Sequence, residues 1–286
     1  MPIFTAPDGT ELAYHVRGEG EPLLVLPGGP MRASAYLGDL GGLTAHRRLI
    51  LLDLRGTGDS APPADPATYR CDRQVDDVEA LRLHLGAERI DVLAHSAGGS
   101  LALLYAARHP GRVARLALIT VNPWALGRPA TAEERLAAAR LRTGEPWFAT
   151  AFAAFEAWLA GAEDPDRPAF AGFFHGRWDD AARAHEAATD EQTNVEAEDR
   201  FLDPAAFDPP ALRDALAELA APVLVLAGEL DGGPRPERAR LLADAFPHGE
   251  LAVQPGAGHY PWLDDPEWFV ARTRAFLDGS APPSAE

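Results

Sequence analysis

The sequence predicts a doubly wound, mostly parallel α/β sheet interrupted by one long helical insertion. Three observations carry this. Short apolar runs recur along the chain, each bounded by turn residues. Segments of helical period alternate with them, as crossover connections between parallel strands require. One stretch, 123–210, keeps helical spacing and contains no strand-like run.

The strand-like runs are 21–27 (EPLLVLP), 49–54 (LILLDL), 90–94 (IDVLA), 113–121 (VARLALITV), 222–227 (PVLVLA) and 251–254 (LAVQ). Near-continuous Val, Leu and Ile is the pattern of a strand covered on both faces. His15 also lies in a strand-like pattern. Helical period marks 75–85, 97–108, 236–246 and 266–277, the last with Asp265 placed to cap it and Pro266 at its first position. Within 123–210, Phe148, Phe152 and Phe155 fall on one helical face, in a segment that also holds Trp124, Trp147, Trp158 and Trp178. Most of these aromatics are expected to pack the insertion onto the sheet, and some to line an apolar pocket beneath it. The expected division is a core of 1–122 and 211–278, a helical cap of 123–210, and a disordered tail of 279–286 (GSAPPSAE).

Composition narrows the function. The chain of 286 residues carries 26 basic and 43 acidic residues, a formal net charge of -17 that repels phosphate backbones and anionic lipid. Nucleic acid and membrane surfaces are therefore not expected as partners; a small-molecule substrate is. Every basic residue is Arg, so a P-loop lysine, a Schiff base and a Ser-Lys dyad are excluded. The single Cys71 forms no internal disulfide, and neither an H-E-x-x-H nor a paired C-x-x-C motif occurs, so neither metal nor cofactor is expected. No apolar run approaches the ~18 residues that span a bilayer. The start, MPIFTAPD, lacks the basic and apolar regions of a signal peptide, which points to the cytoplasm.

The segment carrying the most chemistry is Ile90 to Ser100, a buried strand, a turn of small residues, then a helix starting near Ala97. A Ser on such a turn exposes its hydroxyl at the strand end, provided its neighbours are small. Ser96 is the candidate nucleophile, with Gly98 two residues after it and Ala94 two residues before it, where the motif has Gly. The Ala97 N–H, at the helix start, is placed to hold an oxyanion. Of nine His, His95 is too near Ser96 in sequence to swing onto it, and most others fall in helices, strands or the insertion. His259, in the loop GAGH after the last strand, is the candidate base. The carboxylate that orients it should follow a strand between the two; Asp231 in GELDGG is that candidate, with Glu229 second. A second oxyanion donor is expected from Gly29, in PGGP after the 21–27 run.

These motifs, together with DLRGTGDS at 53–60 and GAGHYPWLDDPE at 256–267, resemble the α/β-hydrolase fold superfamily over nearly the whole chain. The resemblance implies an α/β-hydrolase fold with the cap inserted after the sixth strand, and bracing roles for Asp53 and Arg55. Within the superfamily the chain looks most like proline iminopeptidases, which carry H-G-G-P-G and G-G-S-W-G where this chain has PGGPM and AHSAG. The expected activity is hydrolysis of a small ester or amide through an acyl-enzyme on Ser96. The alternatives are an iminopeptidase-type aminopeptidase, whose substrate ammonium would meet acids among Glu186, Asp190, Glu191, Glu196, Glu198 and Asp199, or a non-hydrolytic lyase, perhydrolase or ligand receptor on the same fold.

Overall fold

In the computed structural model, which describes residues 1–162 and 166–280, eight strands form one sheet in the order β1-β2-β4-β3-β5-β6-β7-β8. They are β1 (Ile3–Thr5), β2 (Glu11–Arg17), β3 (Pro22–Leu26), β4 (Arg48–Leu52), β5 (Ile90–His95), β6 (Val113–Ile119), β7 (Val223–Gly228) and β8 (Gly249–Gln254). From β4 to β8 every pairing is parallel, while β1 and β2 add an antiparallel edge. The run at 49–54 stops as a strand at Leu52 because Asp53 and Leu54 turn into the following loop.

Alternation of side chains along each strand builds two cores. Leu24, Leu26, Val92, Ala94, Val223 and Val225 face one way, against Val78 and Leu81 of α1 (Val75–His84) and Leu101 of α2 (Gly98–Arg108). Leu23, Val25, Leu93, Leu224 and Leu226 face the other, against Phe269, Phe276 and Leu277. A strand buried on both faces is apolar at nearly every position, which explains the long runs; Asp91 and His95 of β5 are exceptions, each with a polar partner.

Between β6 and β7 the chain is helical: α3 (Ala132–Arg140), α4 (Phe148–Leu159), α5 (Arg167–Phe170), α6 (Asp180–Ala187), α7 (Thr189–Gln192), α8 (Val195–Phe201) and α9 (Pro209–Ala217). Thr131 opens α3 with a capping box to Glu134. The expectation that the aromatics here pack chiefly on the sheet is not met. Phe155, Phe170 and Phe173 form a core of their own with Trp147, Phe148, Phe152 and Trp158. After β7 come α10 (Pro236–Ala243), then β8, α11 (Pro261–Asp264) and α12 (Pro266–Leu277), the last capped by Asp265. Of the tail, Ser280 donates its N–H to Ala275 O, and 281–286 lie outside the described residues. No helix among the described residues is long and apolar enough to cross a membrane.

Candidate active site

Ser96 sits between β5 and α2 with φ 51°, a left-handed conformation costly for any residue with a Cβ. Its surroundings hold it there. A Cβ on Gly98 would lie 2.3 Å from Pro27 O, and one on Gly28 would lie 2.9 Å from Ser96 Cβ. Both positions must therefore be glycine for the turn to close against the loop after β3. Ala94, two residues before Ser96, is fully buried in the core, so its extra methyl is accommodated.

The loop after β8 brings His259 over Ser96. Its N–H donates to Phe174 O (2.7 Å), and Asp264 accepts from Gly258 N (2.8 Å), fixing the loop from both sides. His259 Nε2 lies 2.8 Å from Ser96 Oγ, and Nδ1 lies 2.8 Å from Asp231 Oδ2. Asp231 is 1% exposed, and its other oxygen accepts from Gly233 N at 2.7 Å. An ionised carboxylate only accepts, so Nδ1 carries the proton and Nε2 is left to accept from the Ser96 hydroxyl. Glu229, the second candidate, points elsewhere: it accepts from Gly256 N (2.8 Å) and braces the loop.

Gly29 and Ala97 flank Ser96 on the same cavity. Gly29 has φ 119°, which only glycine adopts readily, and a Cβ there would strike Arg32 N at 2.7 Å. Neither the Gly29 nor the Ala97 N–H meets an acceptor among the described residues. Two unspent donors beside a hydroxyl, one at the start of a helix, form an arrangement that can hold a developing oxyanion.

Sequence reasoning missed the support beneath this arrangement. His95, buried, accepts at Nδ1 a hydrogen bond from the Tyr36 hydroxyl (2.6 Å) and donates from Nε2 to His259 O (2.9 Å). Tyr36 in turn accepts from Gly28 N (2.7 Å), and Thr120 Oγ1 also donates to His259 O (2.9 Å). One buried chain thus ties the Gly28–Gly29 turn to the backbone of His259. Tyr36→Phe leaves two buried groups unsatisfied, at about 1–3 kcal/mol each. Urea melts should show that loss, and kcat should fall more than KM changes.

Burial holds the His95 pKa well below the usual imidazole value, with the neighbouring His259 adding to the effect. Burial and the charge of Arg32 pull His185 the same way, to about 3. Below the ordinary histidine pKa of about 6.5 the unfolded chain binds protons that the folded chain refuses, so stability falls as pH drops. His95 alone contributes up to about 1.4 kcal/mol per pH unit below that point. Denaturant midpoints measured from pH 7 down to pH 5 should decline accordingly; a flat profile would mean that His95 is protonated in the fold.

Asp53 and Arg55 brace loops. Asp53 accepts from Ser34 N (2.8 Å) and Asp59 N (3.0 Å), while Arg55 forks onto Asp77. Two groups of side chains have the composition of metal ligands: His15, Asp53 and Asp59, and His175, His185 and Glu186. In the first, Asp53 is already spent on those amides. In the second, the Arg32 guanidinium donates to His185 O (2.9 Å) and opposes a further cation.

Ser96 stands where two cavities meet, sharing Gly29, Arg167, Phe174 and His259 as walls. The larger, of about 280 Å³, continues past Trp124, Trp158, Arg135 and Glu198. The smaller, of about 70 Å³, is closed by Arg32, Tyr36, Glu186 and Tyr260. Of the six acids noted in the insertion, Glu186 and Glu198 turn inward, while Asp190, Glu191, Glu196 and Asp199 are exposed.

Residues 21–266 match the family model described as alpha/beta hydrolase fold. The chain is 40% identical over 122 residues to a probable proline iminopeptidase of Streptomyces coelicolor, a match covering 40% of this chain and 38% of that protein. For five curated relatives the match spans only 35% to 45% of the relative's own length. Among solved structures, the proline iminopeptidase of Mycobacterium smegmatis superposes with TM-score 0.71 at 28% identity, covering 97% of this chain and 98% of its own. The esterase RhEst1 of a Rhodococcus species does so with TM-score 0.69 at 25% identity, covering 98% of this chain and 100% of its own.

Proposed function

The chain belongs to the α/β-hydrolase family, and from that membership we propose that it is a serine hydrolase cleaving a small ester or amide through an acyl-enzyme. The observation that carries the reading is the placement of His259, with one ring nitrogen on Ser96 Oγ and the other on buried Asp231. Ser96 Oγ attacks the substrate carbonyl while Nε2 takes its proton, and Asp231 stabilises the imidazolium. The Gly29 and Ala97 N–H groups hold the oxyanion. Nε2–H then protonates the leaving group, and the same nitrogen activates the water that frees the acyl group. In this reading 123–210 acts as the cap, with Trp124, Trp158 and Phe174 as its contribution to the cavity. The buried free Cys71 suits a reducing cytoplasm.

An aminopeptidase is the second reading, favoured by the inward turn of Glu186 and Glu198. Three guanidinium groups, Arg32, Arg135 and Arg167, line the same cavities and oppose a substrate ammonium, so the ester reading ranks first. A fluorophosphonate probe should label Ser96, and a receptor with an inert site would stay unlabelled. p-Nitrophenyl esters should turn over faster than Pro- and Ala-naphthylamides; the reverse order would establish the aminopeptidase.

A further inference from the structure

The charges around the larger cavity do not cancel. Among the described residues two acids line it, Asp231 and Glu198. Asp231 is held by His259 and Gly233. Glu198, pushed up by burial, is countered by the charge of Arg167, which also acts on Glu186. Arg135 remains. Its guanidinium lies over Gly233, where a Cβ would meet Cζ at 3.4 Å and the two terminal nitrogens at 3.5 and 3.6 Å. Its Cζ also lies 5.6 Å from the centroid of the Trp158 ring. Its neighbour Glu134 is committed to Arg238 at 2.7 Å. No carboxylate pairs with Arg135 among the described residues, and burial draws its pKa down.

We propose that the substrate carries a carboxylate on the group that fills the larger cavity, and that Arg135 binds it; this rests on Ser96 being the nucleophile. The planar fork of a guanidinium matches a carboxylate with two parallel hydrogen bonds, and this fork packs beside the Gly233 backbone and the Trp158 indole. Trp124 and Trp158 supply an apolar wall for the hydrocarbon between the scissile bond and the anion. Arg167 stands toward Glu198 and Glu186, whereas the acid that acts on Arg135, Asp231, is already held by His259 and Gly233 N. The substrate class is therefore a monoester, lactone or amide with a free carboxylate at its far end.

The test compares matched pairs, because the anion can enter on the acyl or on the alcohol side. p-Nitrophenyl hydrogen glutarate is set against p-nitrophenyl valerate, and para-acetoxybenzoate against para-acetoxybenzamide. The wild-type protein should favour the anion in at least one pair by about tenfold or more in kcat/KM, mainly through KM. Arg135→Gln should bring that ratio close to one, and Arg135→Lys should keep part of it. Equal or poorer use of both anions overturns the proposal, even if Arg135→Gln does not fold. So does an Arg135→Gln effect that scales both members of a pair alike, which would make Arg135 only a counter-charge for Asp231. Fluorophosphonate labelling of Ser96 separates the two levels. A labelled enzyme without anion preference refutes only the carboxylate; an unlabelled wild-type protein refutes the nucleophile and the carboxylate with it.

Discussion

Ser96→Ala is expected to lower ester turnover by about 10⁶-fold while leaving the fold intact, the scale of loss seen when a triad nucleophile is removed. Alanine keeps the small side chain that the turn between Gly28 and Gly98 requires, so the strained φ of 51° is no worse served. What disappears is the one oxygen on which His259 Nε2 can act. The unspent N–H groups of Gly29 and Ala97 would still bind a carbonyl oxygen, so a small residual rate above that of water should persist. Turnover of a p-nitrophenyl ester and mass-spectrometric detection of the fluorophosphonate adduct both read the outcome. Unchanged turnover would move the nucleophile elsewhere.

Asp231→Asn should lower kcat by about 10⁴ with little change in the fold, because the shape of the side chain is kept and the tautomer is not. An Asn that still accepts from Gly233 N presents its NH₂ group to His259 Nδ1. The ring must then accept at Nδ1 and carry its proton at Nε2, where it can no longer take one from Ser96. Glu229→Gln is the control: its carboxylate meets a backbone amide in the loop rather than the ring, so its loss should stay under about tenfold. The opposite order of losses would hand the orienting role to Glu229.

Much of this arrangement is legible in the sequence. The runs at 21–27, 90–94 and 222–227 announce strands because burial on both faces leaves few polar positions, Asp91 among them, to blur them. Ser96 and Asp231 stand out because each follows such a strand in a glycine-bearing turn, and His259 because it follows the half-buried β8 in another. The antiparallel edge was less visible. β1 is only Ile3–Thr5, and β2 mixes polar and apolar residues because its end faces solvent. Tyr36 and His95 could not be found from spacing: their value lies in partners 59 residues apart in one case and 164 in the other. Arg135 reads as one more surface charge on α3 until the fold lays it beside Gly233. Chemistry fixed by a local turn shows in the sequence, whereas chemistry assembled across the fold does not.

The helical stretch leaves the sheet at the end of β6 and returns before β7, and these two strands pair directly, Leu116 with Val223 through Ile119 with Leu226. Its two ends are thus rooted in adjacent, rigid stems, while Ser96, Asp231 and His259 all hang from the sheet itself. The stretch nevertheless reaches back to the sheet, where Phe174 O accepts from His259 N and Phe201 and Leu212 enter the core. A different set of helices grafted onto the same two stems would redraw what is admitted to the cavity without re-pairing a strand, provided it kept an acceptor for His259 N and an apolar face for that core.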